Sequence, residues 1–376
     1  MAQGVHTHEI ALLPGDGTGI EVTQASLTVL EAAQERFDIH LEVEEHACGA
    51  QHYKEHGQEW APGAFEATKE ADAILLGAIG WPGVSLPDGN IAGAGVVFGL
   101  RFGLDLYANV RPTKLYPGVP HKIHGAFQQV WQDDLVDMVI LRENTEGLYT
   151  PARGELNRGG HVEVAVDNNV ITAKGSERIQ RRAFEIAQRR DGAPGDGTHR
   201  VTCIDKANVL AGSRLFRSTF GRVAQDYPGI ETDHAYVDAF CQWLVRSPEY
   251  YDVCVTTNML GDIVTDLAAV LQGGMGMAPS GNIGDEHAMF EPVHGSAPKH
   301  AGKDKVNPIA CILAGQMMLD WLGREREDPR CLEAAEAIEA AVRAVLQEGK
   351  TLTYDLGGTS GTQEVAQAIA QRVQQA

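Results

Sequence analysis

The sequence predicts an α/β fold, and three observations predict it. A short apolar run, Glu9–Leu13, leads through the turn Pro14-Gly15-Asp16-Gly17-Thr18-Gly19 into the helical pattern Ile20–Arg36, which reads as strand, turn and helix. Apolar runs at His40–His46 and Ala73–Leu76 flank a second helical stretch, Pro62–Glu70, giving the β-α-β alternation of a parallel sheet. At 376 residues and 40.5 kDa the chain exceeds one ordinary core, so two domains are expected.

Further strands are expected at Met138–Arg142, Val162–Thr172, Thr202–Asp205, Glu231–Val237 and Val253–Thr256, with helices over Glu177–Arg190 and from Asn208. The Gly-, Asp- and Pro-rich segment Arg190–His199 reads as a surface loop. From Gly273 to Gly302 the chain is dense in Gly, Pro, Ser and His, and a loop of that length inside a compact protein is usually functional. Helices return at Pro308–Leu322 and Leu332–Gln347, and a last one runs from Gln363. The chain has no internal repeat and no low-complexity tract.

With 43% hydrophobic and 22% charged residues the chain falls among ordinary globular proteins rather than disordered or fibrous ones. A formal charge of −20, from 51 acidic against 31 basic residues, opposes long-range attraction to nucleic acid or an anionic membrane. Neither is expected as a partner. Apolar stretches such as Ala73–Ile79 fall far short of the roughly 20 residues of a spanning helix. Met1–Glu9 has no apolar core preceded by basic residues, so no secretory signal is visible and a cytoplasmic location is expected. Cys48, Cys203, Cys241, Cys254, Cys311 and Cys331 lie far apart with no C-x-x-C pair, which speaks for reduced thiols over a zinc ribbon or disulfide framework.

The glycine turn at Gly15 lacks the G-x-G-x-x-G spacing that brings a helix N-terminus onto a pyrophosphate, and no suitably placed acidic residue follows the next strand. It is not a Rossmann signal. Asp262 and Asp266, four residues apart on a helix, project from one face and repel unless a cation or solvent separates them. Ile263, Val264 and Leu267 beside them suggest partial burial, so a divalent metal is the economical explanation; a solvated acidic face is the competing one. Hard oxygen ligands without a His-Cys cluster point to Mg²⁺ or Mn²⁺. Arg101, Arg111 and Arg142 could each grip a carboxylate bidentately, although an arginine taken singly is more often a surface residue.

Several phrases together resemble the isocitrate and isopropylmalate dehydrogenases, the β-decarboxylating hydroxyacid dehydrogenases. They are Pro14-Gly15-Asp16-Gly17, the segment from Arg101 to Arg111, Arg142-Glu143-Asn144-Thr145-Glu146-Gly147-Leu148-Tyr149, Asp205-Lys206-Ala207-Asn208-Val209, Asn258-Met259-Leu260-Gly261-Asp262 and Glu291-Pro292-Val293-His294-Gly295-Ser296-Ala297-Pro298. They cover most of the chain in the family's order. The resemblance implies a two-domain isopropylmalate-dehydrogenase-like fold and not a Rossmann fold. A large domain, 1–106 and 273–376, would carry the cofactor loop and both termini. A small domain, 107–272, would carry the dimer interface, metal and catalytic residues.

The same resemblance implies that Arg101, Arg111 and Arg142 hold the substrate carboxylates and that Asp238, Asp262 and Asp266 bind the metal. Tyr149, Lys206 and Asp238 would handle protons; without the family, Tyr149 would read as a core aromatic and Lys206 as a surface lysine. All five of Tyr149, Lys206, Asp238, Asp262 and Asp266 are present, against a regulatory subunit on the same fold. A Rossmann hydroxyacid dehydrogenase is the rival enzyme class, and it would need no metal and release no carbon dioxide. The implied partner is a second copy of the chain, a homodimer whose Lys206 and Asp238 reach into the neighbour's site.

For the cofactor, the resemblance implies binding along the loop from Glu291 through His294, Gly295, Ser296 and Ala297 to Asn307. Relatives that use NAD carry an acidic residue after Ser-Ala-Pro; here Lys299 and His300 follow, and Tyr354 also matches the NADP-using pattern. Gly358 stands where the NADP-using isocitrate enzymes offer an arginine. NADP is expected, with NAD as the alternative.

The C3 substituent should meet the helix leading into Arg101. Isocitrate enzymes place Ser and Asn there, whereas this chain has Ala94, Gly95, Val96, Val97 and Phe98. Burying a third carboxylate against that surface without a partner costs several kcal/mol, so Val97 and Phe98 point to an alkyl group such as isopropyl. The Glu and Leu-Leu pair usual in isopropylmalate enzymes are absent, and Trp81-Pro82-Gly83-Val84 resembles tartrate and D-malate dehydrogenases. Tartrate, D-malate, isocitrate and homoisocitrate stand as alternatives.

Overall fold

A computed structural model describes residues 7–376. Of the stretch Met1–Glu9 read for a signal, all but the last three residues lie outside the described range. The chain divides into two compact units: one of the described residues up to Leu106 with Leu115–Asp133 and Ala269–Ala376, the other of Tyr107–Lys114 with Asp134–Ala268.

In the first unit the strand Thr7–Gly15 lies between His40–Glu45 and Ala73–Ala78, parallel to both. The next strand, Ala288–Pro292, pairs parallel with Ala73–Ala78 and antiparallel with Pro279–Ile283. Ala73–Ala78 is buried along its whole length, as a parallel strand covered on both faces must be. The helix Ile309–Glu325 is buried nearly all round because it packs against the helices Gly19–Phe37 and Pro329–Glu348. Asp328 starts the latter by accepting from the Arg330 amide, with Pro329 at the first helical position, and Gly349 in the left-handed region ends it.

In the second unit the strands run in the order Glu231–Tyr236, Arg200–Asp205, Val253–Thr256, Asp137–Glu143 and Ala108–Lys114. All neighbours are parallel except the last pair. The amphipathic helices Ala173–Ala187 and Ala211–Val223 turn Ile179, Ala183, Phe184, Phe216 and Phe220 into the core.

Two expectations are corrected. The segment Gly273–Gly302 is not one loop, because it contains the antiparallel hairpin of Pro279–Ile283 and Ala288–Pro292. Those strands are buried on both faces, so no two-residue alternation marks them in the sequence. The stretch Val162–Thr172 is not one strand either: His161–Asp167 pairs with Arg153–Arg158 in a hairpin, and after a break Val170 makes an isolated antiparallel bridge with Gly147 before the helix capped by Thr172. Among the described residues, no helix is long and apolar enough to cross a membrane. The six cysteines are free, and burial pushes the Cys48 and Cys311 thiols up to about 12.

Candidate active site

Two elementary periodicities build the centre of the second unit. On the strand pair Ala108–Lys114 and Asp137–Glu143, Asn109 lies opposite Arg142, and Arg111, two residues on, shares that face. On the helix Asn258–Leu271, residues 258, 262, 265 and 266 recur at helical spacing on one side. The two faces meet. Arg142 donates from Nε and Nη2 to Asn258 Oδ1 at 3.0 and 2.8 Å, and from Nη1 to Asp262. Arg111 donates from Nε to Asn109 Oδ1 at 2.7 Å and from Nη1 to Thr265 Oγ1 at 2.5 Å. Its terminal nitrogens also lie 3.6 Å from Asp262 and 3.8 Å from Asp266. The Tyr149 hydroxyl donates to the other Asp262 oxygen at 2.9 Å. Gly261 permits this approach, since a Cβ there would stand 2.7 Å from the Arg142 side chain.

The cluster is electrically balanced, with two guanidinium groups facing two carboxylates. Arg142 and Arg111 are 2% and 7% exposed, so their charges act through protein rather than water. Burial pushes the Asp266 carboxyl above its ordinary value; Arg111 offsets part of this and the charge of Asp262 adds to it. The repulsion between Asp262 and Asp266 read from the sequence is therefore already answered by arginines. The donor set nevertheless suits a hard cation: two half-exposed carboxylates on one helix face, without sulfur or imidazole.

Lys206 and Asp238 form a separate pair in the same unit. Asp205, wholly buried, accepts a bidentate pair of bonds from Arg217 at 2.7 and 2.8 Å and the amide of Ala207 at 2.7 Å, fixing the chain on both sides of Lys206. Lys206 Nζ donates to Asp238 Oδ1, and this bond holds the Asp238 carboxyl below its ordinary value. Within one chain, Asp238, Asp262 and Asp266 do not come close enough together to form a three-ligand group.

In the first unit the glycine turn has a use the sequence did not disclose. Asp16, fully buried, accepts the amides of Ala50, Gln51 and Gly80, each at 2.8 Å. Thr18 donates its amide and hydroxyl to the Ser296 carbonyl at 2.8 and 3.1 Å, while Ser296 donates its own hydroxyl to Gly80. Gly17 sits at φ +60°, where a Cβ would stand 2.3 Å from the Ser296 carbonyl oxygen. The turn thus anchors the Glu291–Pro298 segment instead of presenting itself to a phosphate.

Along that segment Glu291 accepts from Arg101 at 3.1 Å and from Asn282 at 2.8 Å. His294 uses Nδ1 toward the Gly295 carbonyl at 3.0 Å, while its Nε2, like Nδ1 of His300, is buried without a hydrogen-bond partner; burial holds His294 below its ordinary value and keeps it neutral. Ala297 adopts φ +37° in the turn. The His300 ring lies 5.8 Å from that of Tyr354, and Lys305 stands 4.6 Å above the Tyr354 ring. Lys299 is exposed. Asn307 donates to Asp355 at 3.1 Å and accepts the Ile309 amide. Orphaned imidazole nitrogens in a Gly-rich loop suit the base and ribose of a nucleotide. On the helix Ala94–Gly103, Val97 packs against the core while Phe98 is exposed and stacks with Phe102.

The model of the isocitrate/isopropylmalate dehydrogenase family matches residues 9–369. The chain belongs to this family. It is 41% identical to the 3-isopropylmalate/3-methylmalate dehydrogenase of Methanocaldococcus jannaschii over 98% of its own length and 99% of that protein's. It is 39% identical to the decarboxylating D-malate dehydrogenase of Escherichia coli, covering 96% and 98% of the two chains. Its fold matches the crystal structure of isocitrate dehydrogenase from Methylococcus capsulatus with a TM-score of 0.84 at 36% identity, over 98% and 99% of the two chains. It is an oxidoreductase of the decarboxylating isopropylmalate and malate type. Members of this family are divalent-metal- and NAD(P)-dependent dehydrogenases.

Sequence reading overlooked Asn109, Asn258, Thr265, Asp16 and Lys305. The first two carried a usable signal: Asn109 stands two residues before Arg111 on a strand, and Asn258 four before Asp262 on a helix. Nothing local marks Thr265, Asp16 or Lys305, whose partners lie far away in sequence.

Proposed function

We propose that the enzyme oxidises and decarboxylates a 3-alkylmalate of the 3-isopropylmalate kind, reducing NADP⁺ in preference to NAD⁺. The observation that carries this reading is the joint cluster of Arg111, Arg142, Asp262, Asp266 and the Tyr149 hydroxyl. Arginines grip a dicarboxylate in two-pronged fashion, and Arg101 is assigned to the same clamp. Asp262 and Asp266 would hold Mg²⁺ or Mn²⁺ together with Asp238 of the partner subunit. A cation so held would stabilise negative charge developing on the substrate's hydroxyl oxygen, and NADP⁺ would accept the hydride from C2.

Lys206, reaching in from the partner subunit in its free-amine form, would take the hydroxyl proton as the C2 hydride leaves, with Asp238 holding the ammonium it becomes, and this gives a 2-oxo acid with a carboxylate β to the new carbonyl. The bond from C3 to that carboxylate then breaks, carbon dioxide departs, and the electron pair left on C3 forms the C2–C3 enolate. Tyr149 delivers a proton to C3. Its hydroxyl already donates to Asp262, which fixes the proton's position.

The unit with both ends of the described chain would bind the cofactor along Glu291, His294, Gly295, Ser296, Ala297 and Asn307. His300 and Lys305, both beside Tyr354, together with the exposed Lys299 suit a 2′-phosphate. Val97 and Phe98 are assigned to the alkyl group, in keeping with the name of the 41%-identical archaeal relative. D-malate and tartrate form the second reading, favoured by the 39%-identical D-malate enzyme and by Trp81-Pro82-Gly83.

A homodimer is part of the proposal. The hairpin Arg153–Asp167 leaves Leu156, Val162, Val164 and Val166 exposed, and a two-stranded ribbon with apolar residues in water calls for a covering surface. Asp238, Asp262 and Asp266 do not form one ligand group within a single chain, and the third position is therefore assigned to Asp238 of the partner subunit. The free, buried thiols fit a reducing compartment such as the cytoplasm.

The test is to follow NADP⁺ and NAD⁺ reduction with Mn²⁺ against 3-isopropylmalate, 3-methylmalate, isocitrate, homoisocitrate, tartrate and D-malate, with carbon dioxide measured. Turnover that survives chelation, or oxidation without carbon dioxide release, defeats the proposal. An active monomer on gel filtration defeats the dimer.

A further inference from the structure

The two buried arginines of the cluster face Asp262 and Asp266 through their terminal nitrogens, but their Nε edges are held differently. A guanidinium that must be fixed inside a protein is most strongly fixed by a carboxylate, in a two-pronged ion pair. Here the oxygens that receive the Nε edges are uncharged. Arg142 gives Nε and Nη2 to the single amide oxygen of Asn258, at 3.0 and 2.8 Å. Arg111 gives Nε to the amide oxygen of Asn109 at 2.7 Å, and Nη1 to the hydroxyl of Thr265.

These three acceptors are themselves fixed. Asn258 donates its Nδ2 to the Glu146 carbonyl at 2.9 Å, tying the metal-helix start to the segment that follows Arg142. Thr265 donates to the Gly261 carbonyl at 2.7 Å, which leaves its lone pairs for Arg111. Asn109 is fully buried and faces Arg142 directly across the strand pair.

We propose that Asn109, Thr265 and Asn258 are positioning residues that set the planes of Arg111 and Arg142 through uncharged oxygens, so that the arginines are oriented without adding a further negative charge to those of Asp262 and Asp266. The proposal rests on the dicarboxylate reading given above and adds which residues tune the clamp. A carboxylate in place of Asn258 would hold Arg142 equally well in space. It would add a third negative charge beside Asp262 and Asp266, which opposes a substrate carboxylate, and it would set a second oxygen against the Glu146 carbonyl.

The experiment compares Asn258→Asp, Asn258→Ala and Thr265→Val with the parent enzyme. Three quantities are read: the KM for the acid substrate, the KM for the dinucleotide, and the Kd of malonate with Mn²⁺ present by calorimetry. Malonate reads the clamp without turnover. A parent enzyme that binds malonate but oxidises none of the substituted malates therefore discards the substrate reading alone. Asn258→Asp is expected to weaken malonate and acid-substrate binding about 10- to 100-fold, the span of one charge-assisted hydrogen bond, with the dinucleotide KM within about twofold. Thr265→Val, nearly isosteric, is expected to weaken malonate about threefold to tenfold while leaving the melting temperature near that of the parent; it carries the test should the Asn258 variants not fold. The proposal is overturned if malonate binds folded Asn258→Asp and Thr265→Val within twofold of the parent. It is equally overturned if acid and dinucleotide KM values rise together, as a general loosening of the fold would make them.

Discussion

Asp16 offers the sharpest quantitative test of how the glycine turn works. Its carboxylate is fully buried and accepts three backbone amides, those of Ala50 and Gly80 on Oδ2 and that of Gln51 on Oδ1, each at 2.8 Å. Asp16→Asn keeps the shape and can keep only one oxygen. Two of the bonds would pass from a charged to a neutral acceptor, at a loss of about 1 kcal/mol each, and the third would become one N–H facing another, worth about 1–3 kcal/mol. Burying an amide costs less than burying a carboxylate, which returns part of the sum and leaves a net loss of about 2–4 kcal/mol. At about 2–4 °C per kcal/mol for a unit of this size, the first transition should fall by about 5–15 °C in a thermal scan. Asp16→Ala, which leaves all three amides without an acceptor, should fall further. Because Thr18 and Gly17 sit against Ser296, the KM for the dinucleotide should rise more than that for the acid. A melting temperature within about 2 °C of the parent for Asp16→Asn would show that these bonds do not hold the turn.

Three further outcomes are expected. Tyr149→Phe removes the proton that Tyr149 shares with Asp262 and should lower kcat by about 10²- to 10⁴-fold with little change in KM; a kcat within threefold of the parent would remove Tyr149 from the proton path. Lys299→Asp places a carboxylate where a 2′-phosphate is proposed, so the ratio of kcat/KM for NADP⁺ over NAD⁺ should fall by about tenfold or more, measured with both dinucleotides on one enzyme preparation; an unchanged ratio would move the discriminating group elsewhere. Burial alone would push the Asp328 carboxyl up, but bonds from Arg330 and His8 outweigh it and hold the group below its ordinary value. Its stabilising contribution is therefore complete above the unfolded value near about 4 and is lost as pH falls through the lower folded value. Urea midpoints should show Asp328→Asn weaker than the parent at pH 6, with the gap closing toward pH 3; a constant gap would make the contribution one of capping alone.

What the sequence disclosed, and what it hid, follows from the range of the physics involved. The strands Ala73–Ala78 and Val253–Thr256 are short unbroken apolar runs, because both their faces are covered, and such runs are visible locally. The helix Pro329–Glu348 begins at an Asp-Pro pair and ends at a glycine, again a local signature. The hairpin Pro279–Ile283 with Ala288–Pro292 is buried yet carries Asn282 and Glu291: Asn282 donates to Glu291 across the hairpin, and Glu291 also accepts from the distant Arg101. No window of sequence contains that compensation, so the segment looked like a loop. The strand Ala108–Lys114 was hidden for a related reason: Asn109 and Arg111 break the apolar run, and they are tolerated inside because they bond each other at 2.7 Å and Arg111 also meets Thr265, Asp262 and Asp266 on a distant helix.

The acidic pair shows where sequence logic rests on an incomplete cause. Asp262 and Asp266 were read as needing a cation because two carboxylates on one helix face repel. In the fold that repulsion is met by Arg111 and Arg142, so the cluster is neutral before any ligand arrives. Neutrality changes what the site can accept. A divalent cation alone would leave an excess of two positive charges beside two buried guanidinium groups, and a dicarboxylate alone would leave two negative charges beside Asp262 and Asp266. Arrival of both restores the balance, and in a medium less polar than water such a difference outweighs ordinary contact energies. The arginines would thus make the proposed cation and dianion mutually dependent ligands. That inference needs all four side chains on one face, and only the strand register and helix spacing together supply it.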